Sequence, residues 1–230
     1  MLRAQLEPAY VLNRRPYRED SALIDLLTQQ HGLVRLVGRG MRRKKQPLGA
    51  ILQPFAPLLI SWQSKTELGQ LQQAETASPP LLLSGDQTLA GFYLNELVYR
   101  LLTPLESAPS VFAHYGSAIA QLAASDSKLE PVLRQFEHAL LDHLGYGLSD
   151  TQHLDGESFY QWQPQQGLVL CDHQSHIQGW HLQCIEASNY DDESVLRAAK
   201  ILTRQRLEPL LAGRPLQSRQ VWLQMKRGKV

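Results

Sequence analysis

Over the first 80 positions apolar residues come in short runs, each stopped within a few positions by Gly, Pro or a polar cluster. Ala9-Tyr10-Val11-Leu12 begins one such run, which stops near Pro16. The stretch S-A-L-I-D-L-L-T (Ser21–Thr28) is ambiguous by periodicity alone. It leads through Q-Q-H-G directly into L-V-R-L-V (Leu33–Val37), and two short apolar runs around a Gly-containing turn favour a hairpin over a helix. The pattern predicts a further strand from Ile51 to Trp62, where Pro54 and Pro57 suit an edge or a bulge, and a last short segment with Leu68 and Leu71 that ends near Thr76. Four or five short strands in so few residues predict a small closed barrel, and the five-stranded oligonucleotide-binding barrel has this size.

S-P-P-L-L-L-S-G (Ser78–Gly85) reads as a linker, and beyond it the period changes. Phe92, Leu94, Leu97, Val98, Leu101 and Leu102 recur at helical spacing until Pro104. A second helix is predicted from about Val111 to Ala124, and a third from Leu129 to Leu144 with Pro131 in its first turn and Gly145 as C-terminal cap. Residues 148–184 read as loop-rich, with strand-like pieces at Phe159–Trp162 and Gly167–Leu170. Helical spacing resumes from Glu193 to Leu211, breaks at Gly213-Arg214-Pro215, and returns in a short helix from Ser218 to Met225.

Charge sharpens this division. Between Arg35 and Lys45 six cations and no acid surround two glycines, in R-L-V-G-R-G-M-R-R-K-K. Glycine lets the backbone turn there, and a cluster without internal counter-charge suits a polyanion such as a phosphate backbone. A solvated charged loop is the plainer alternative. The formal net charge of +1 conceals a balance of +5 over residues 1–80 (11 Lys/Arg, 6 Asp/Glu), −12 over 81–196 (3 against 15) and +8 over 197–230 (9 against 1). Such sorting implies separate surfaces for separate partners. The opening M-L-R-A-Q-L-E-P lacks a signal-peptide core, and no run nears the ~18 apolar residues of a membrane span, so a cytoplasmic protein is expected.

Catalytic motifs are missing: no G-x-S-x-G elbow, no G-x-x-x-x-G-K-[ST] loop and no H-E-x-x-H helix occurs, and Gly38-Arg39-Gly40 is too little for a dinucleotide fingerprint. His138 and Asp142, four apart, read as ordinary helix neighbours. Cys171, His173, His176, His181 and Cys184 are possible zinc ligands, but C-x-H and H-x-x-C are not the paired C-x-x-C knuckles of a structural site, so neither metal nor other cofactor is expected. Tyr10, Tyr17, Phe55 and Trp62 are the barrel-segment aromatics that could stack on unpaired bases, against the alternative that each fills the core.

Several segments together resemble one family. A-Y-V-L-N-R-R-P-Y-R-E-D-S, L-T-Q-Q-H-G-L-V-R-L-V-G-R-G-M-R, L-Q-P-F, Y-L-N-E-L (Tyr93–Leu97), R-Q-F-E-H-A-L-L-D-H-L-G-Y-G (Arg134–Gly147) and L-R-A-A-K (Leu196–Lys200) resemble, in collinear order, the RecO family of bacterial recombination mediators. The resemblance implies an α+β chain: an oligonucleotide-binding (OB-fold) β-barrel at 1–80, then a mainly helical domain at 81–230 carrying a loop-rich, zinc-finger-like insertion at 148–190. Family members often hold zinc in a four-cysteine module there, whereas this chain lacks the first C-x-x-C and is expected to be metal-free. The function implied is non-enzymatic: binding single- and double-stranded DNA in DNA repair and recombination, annealing complementary strands, and helping load RecA onto DNA coated by single-stranded-DNA-binding protein. RecR and that coating protein's acidic C-terminal tail are the implied partners, in the cytoplasm at the nucleoid. An RNA-binding or ribosome-associated barrel protein is the alternative, since phosphate contacts alone do not separate RNA from DNA.

The residues expected to meet nucleic acid are Arg14, Arg15, Arg35, Arg39, Arg42, Arg43, Lys44 and Lys45 in the barrel, with Arg197, Lys200 and Arg204 on a later helix. For the partner tail the expected set is Arg134, His138 and Leu141. Arg134 stands in acidic surroundings, where it either pairs with Glu130 or Glu137 or receives the tail's terminal carboxylate.

Overall fold

In the computed structural model, which describes residues 1–42, 48–148, 150–172 and 176–227, the alternating N-terminal pattern becomes five strands. They are β1 (Leu2–Tyr17), β2 (Ser21–Thr28), β3 (Gly32–Arg39), β4 (Leu58–Ser64) and β5 (Leu68–Thr76). They close into a barrel in the order β1-β2-β3-β5-β4, with β3 and β5 parallel and the other neighbours antiparallel. This is the expected oligonucleotide-binding type of barrel within an α+β chain. Closure depends on β1, which pairs with β4 over Leu2–Ala9 and with β2 over Ala9–Tyr17. Register shifts between Ala4 and Glu7 and between Val11 and Asn13 bend it from one partner to the other. The apolar run Ala9–Leu12 thus marks only the middle of a much longer strand, because backbone groups and not side chains make the ladder. Val11, Ile24, Leu26, Leu36, Ile60 and Trp62 fill the interior.

The strand expected from Ile51 to Trp62 is instead two elements. A single helical turn, α1 (Leu48–Ile51), precedes a segment that contains Pro54 and Pro57, and β4 starts only at Leu58. Proline has no N–H for a ladder, so before β4 this segment makes only an isolated bridge, between Pro54 and Val11.

The remaining helices are α2 (Asp86–Leu101), α3 (Pro109–Leu122), α4 (Leu129–Leu141), α5 (Gly179–Glu186), α6 (Glu193–Leu210) and α7 (Gln217–Arg227). A hairpin of β6 (Phe159–Gln163) and β7 (Gly167–Cys171) lies between α4 and α5. Helix α5 falls inside the stretch read as loop-rich. It has only eight residues, and its start is marked by a reciprocal Gln178–His181 cap, not by a long apolar period. No helix among the described residues is long and apolar enough to cross a membrane.

Compactness divides the chain into residues 1–127 with 216–230, and residues 128–215. This division differs from the 1–80/81–230 division drawn from the sequence, for a physical reason. In the first unit Asn95 on α2 donates to the Leu12 carbonyl at the β1 bulge (3.0 Å), and Tyr115 on α3 donates to Asn95 Oδ1 (2.6 Å). The Tyr10 ring packs on Phe112 and Tyr115, and Phe55 packs on Phe92. Helix α7 returns to the same unit, where Glu96 accepts hydrogen bonds from the Gln217 and Ser218 amides (both 2.9 Å). In the second unit Ile177, Leu182, Ile185, Val195, Ala198 and Leu202 make a separate core.

Candidate nucleic-acid interface

Period-two alternation decides which barrel cations face out. Residues paired across strands share a face, so the inner row Ala22, Ile24 and Leu26 fixes the outer row as Leu23, Asp25 and Leu27. Leu23 pairs with Arg15 and Val37, Asp25 with Asn13 and Arg35, and Ser21 with Tyr17 and Arg39. The outer face of β1–β3 therefore gathers Arg15, Arg35 and Arg39 with Tyr17. Farther along the same strands this face is covered, since Leu27 and Leu33 are buried and Tyr10 meets α3.

Asp25 sits in the middle of the basic face and is fully buried. Arg35 Nε donates to it at 2.6 Å, Asn13 Nδ2 at 3.3 Å, and Arg15 lies 3.8 Å away. The hydrogen bond to Asp25 raises the Arg35 pKa further above its ordinary value. Asp25 thus fixes Arg35 in place, with the Tyr99 ring 6.0 Å from its guanidinium.

Arg14, adjacent to Arg15, belongs to the inner row and does different work. Its Nη1 donates to the carbonyls of Gly49 (2.7 Å) and Leu52 (3.0 Å), tying α1 to β1. Arg14, expected in the nucleic-acid set, is exposed and is also tied to this segment. Arg39 is exposed on the open face, and Arg42 is exposed just beyond it. Gly40, at φ 79°, turns the chain there, and the Asp20 carbonyl accepts from the Gly40 amide at 2.9 Å. Asp20 Oδ1 also accepts from the Arg42 amide, so the β1–β2 turn and the exit of β3 are tied together. The basic run leaves β3 at this end; the tip of the β2–β3 hairpin, Gln29–His31, is elsewhere. Arg43, Lys44 and Lys45 lie outside the described residues.

At the hairpin tip Glu7, only 3% exposed, collects four N–H groups. They are Trp62 Nε1 (2.9 Å), the Gln30 and His31 amides (2.9 and 3.2 Å) and His31 Nδ1 (3.0 Å). Burial pushes this carboxyl upward, but the bonds from Trp62, His31 and Gln30 outweigh it and hold the pKa below the ordinary carboxylate value.

In the second unit Arg197, Lys200 and Arg204 share one face of α6. Arg197 and Arg204 are exposed, while Lys200 Nζ is bound to Glu130 Oε1 at 2.7 Å. Burial raises the Glu130 pKa, and Lys200, Arg134 and Arg204 together bring it below the ordinary value. Arg206 on the same helix is buried, donates to the Tyr146 carbonyl and lies 5.4 Å from the Trp162 ring centre. Burial lowers its pKa to about 10. It is a cation that a charge count assigns to the surface and the fold takes inside.

In the set expected for a partner tail, Arg134 takes the carboxylate-paired alternative of the two expected for it. Arg134 is 7% exposed, with Nη1 2.7 Å from Glu137 and Nε 3.7 Å from Glu130. Leu141 is fully buried and His138 half-buried. Leu133, Glu137 and Leu141 are buried as well as the expected stripe Val132, Phe136 and Leu140, so two faces of α4 are enclosed and Arg134 is not on an open surface. Among the possible zinc ligands, His181 spends Nδ1 on the Gln178 amide (2.9 Å) and faces Ser194 Oγ with Nε2 (3.2 Å). Cys171 ends β7, Cys184 lies in α5, and His173 is outside the described residues. Both His181 nitrogens are engaged, so His181 is not free to ligate zinc, and among the described residues no group of three His, Cys, Asp or Glu is placed to hold a metal.

Asp25, Asn13 and Glu7 lie outside the expected site, whereas Tyr17 is one of the four aromatics the sequence offers for stacking. The alternation Asn13, Arg15, Tyr17 was available as a signal for one outward face; the burial of Asp25 was not.

Comparison with known proteins agrees along most of the chain. The family described as Recombination protein O N terminal matches residues 2–80, and Recombination protein O C terminal matches residues 82–175. A protein named DNA repair protein RecO from Serratia proteamaculans is 40% identical, covering 96% of this chain and 94% of its own length. Proteins of the same name from Actinobacillus pleuropneumoniae and Salmonella paratyphi B are 38% and 39% identical, over 93% and 94% of this chain and 92% and 93% of theirs.

Proposed function

This chain belongs to the RecO family of DNA repair proteins, and from that premise we propose that it is a DNA-binding recombination mediator that works without catalysis. It anneals complementary single strands and helps load RecA onto DNA coated by single-stranded-DNA-binding protein. The observation that carries this reading is the open outer face of β1–β3, where Arg15, Arg35 and Arg39 share one surface. Annealing brings two polyanions together, and a fixed row of guanidinium groups lowers their repulsion while releasing condensed counterions. Arg42 is exposed just past β3, and Arg43, Lys44 and Lys45 follow it in the sequence. Arg197 and Arg204 on α6 are a second set of exposed cations, with Lys200 contributing less because Glu130 already neutralises it.

RecR and the acidic tail of the single-stranded-DNA-binding protein are the partners in this reading. It does not assign the tail to Arg134, whose guanidinium is buried against two carboxylates. The acidic stretch 81–196 limits nonspecific wrapping by nucleic acid and leaves surface for proteins. The alternative of an RNA-binding barrel protein is tested by competition between matched RNA and DNA strands. The primary experiment is annealing of complementary strands coated with single-stranded-DNA-binding protein. The proposal expects acceleration by this protein, and no acceleration over the spontaneous rate refutes it.

A further inference from the structure

Three of the four aromatic rings in residues 1–80 are committed to the interior. Tyr10 packs between Phe112 and Tyr115 with ring centres 5.5 and 5.0 Å away. Phe55 is buried against Phe92 at 5.1 Å. Trp62 is buried, bonded to Glu7 and met edge-on by His31. Tyr17 is the fourth, half-buried at the end of β1 on the same outer face as Arg15 and Arg39.

Its surroundings are built and not incidental. Arg18 follows in the left-handed region, at φ 56°, which a side chain other than glycine adopts at a cost. That conformation sets the Arg18 guanidinium 5.1 Å from the Tyr17 ring centre. The turn is held by the two bonds that Asp20 accepts from the Gly40 and Arg42 amides, so Tyr17 and Arg18 stay beside the exit of the basic strand. Arg39 stands across β2 from Tyr17, two strand spacings or about 10 Å away.

We infer that Tyr17 is a stacking platform for an unpaired nucleobase, with Arg18 and Arg39 holding the phosphates to either side. This rests on the DNA-binding reading above and adds to it the element that distinguishes a single strand from a duplex. Phosphate contacts serve both forms, whereas only an unpaired base can lay its face on a tyrosine ring.

The test compares wild type, Tyr17→Ala and Tyr17→Phe in binding a thymidine oligonucleotide and a duplex of equal length across a salt series. Tyr17→Ala should weaken single-strand binding roughly 5- to 150-fold, the equivalent of one base stack. It should leave duplex binding within about twofold and the salt slope unchanged, because no phosphate contact is lost. Tyr17→Phe, which keeps the ring, should bind like wild type. On the wild-type protein, a strand carrying bromodeoxyuridine should photocrosslink to the peptide containing Tyr17, a readout independent of how the variants fold. Equal losses on both DNA forms, no loss on either, or a crosslink that maps to other peptides overturns the assignment. If wild type itself binds neither form, it is the DNA-binding reading that fails.

Discussion

Glu7 offers a sharp test of how the barrel is held. Replacing it with Ala removes the acceptor for Trp62 Nε1, the Gln30 and His31 amides and the His31 ring, all within 3.2 Å. Hydrogen bonds to a charged acceptor contribute about 1.5–3 kcal/mol each, though not additively, and donors left buried without a partner add their desolvation cost. The net cost expected for Glu7→Ala is about 4 kcal/mol, in line with the loss of one partner from a buried charged cluster. Glu7→Gln keeps one acceptor oxygen and should cost about 1–2 kcal/mol. The pH dependence has a definite sign. Because the folded pKa lies below the ordinary value of 4.5, the stabilisation is complete above that value and is lost as the pH falls through the folded pKa. Urea denaturation of the three proteins, at about pH 7 and stepwise down to about pH 3, measures both effects. Wild type should lose stability on acidification more steeply than Glu7→Gln. A Glu7→Ala protein within about 1 kcal/mol of wild type, or superimposable acid profiles, refutes the argument.

Other predictions address the remaining joints. Tyr115→Phe leaves Asn95 Oδ1 without its 2.6 Å donor, and thermal denaturation should report a loss of about 1–3 kcal/mol. Arg134→Ala leaves Glu137 buried without its near cation and should cost about 3–5 kcal/mol by denaturation, whereas an unchanged stability would return Arg134 to the surface. Changing Arg42, Arg43, Lys44 and Lys45 to Ser should leave the thermal midpoint within about 2 °C of wild type while lowering the salt slope of single-strand binding by up to about 2.8, or 0.7 per lost phosphate contact.

The barrel is legible in the sequence because its hairpin is: the runs Ser21–Thr28 and Leu33–Val37 have strand length and a Gly-containing turn between them, and they become β2 and β3. Helices α2, α3 and α6 are legible for the same kind of reason, having three or more turns of apolar spacing. The length of β1 is not, since its outer half is polar and its closure is a matter of backbone pairing with β4. Arg14 and Arg15 show how far charge alone carries the site. They are neighbours of identical chemistry, and alternation sends one to pin α1 and the other to the open face. Asp25, one acid in an apolar run, gives no sign in the sequence that it is buried among Arg35, Arg15 and Asn13. Arg206 is invisible as an interior cation for the same reason, because its partners Tyr146 and Trp162 lie far away in sequence. The pairing of Arg134 with Glu130 or Glu137 is legible as a spacing of four or three on one helix, but its burial is not.

The central claim is that the outer face of β1–β3 binds single-stranded DNA through Arg15 and Arg39. Its most direct test is the salt dependence of oligonucleotide binding by wild type and by the Arg15→Ser/Arg39→Ser double variant. Both side chains are exposed, and Asp25 keeps its 2.6 Å bond from Arg35 when Arg15 is replaced, so the variant should fold normally. With about 0.7 per phosphate contact on a single strand, the log–log slope should fall in magnitude by about 1.4, and affinity should fall with it. A double variant with the wild-type slope and affinity would place the DNA on another surface.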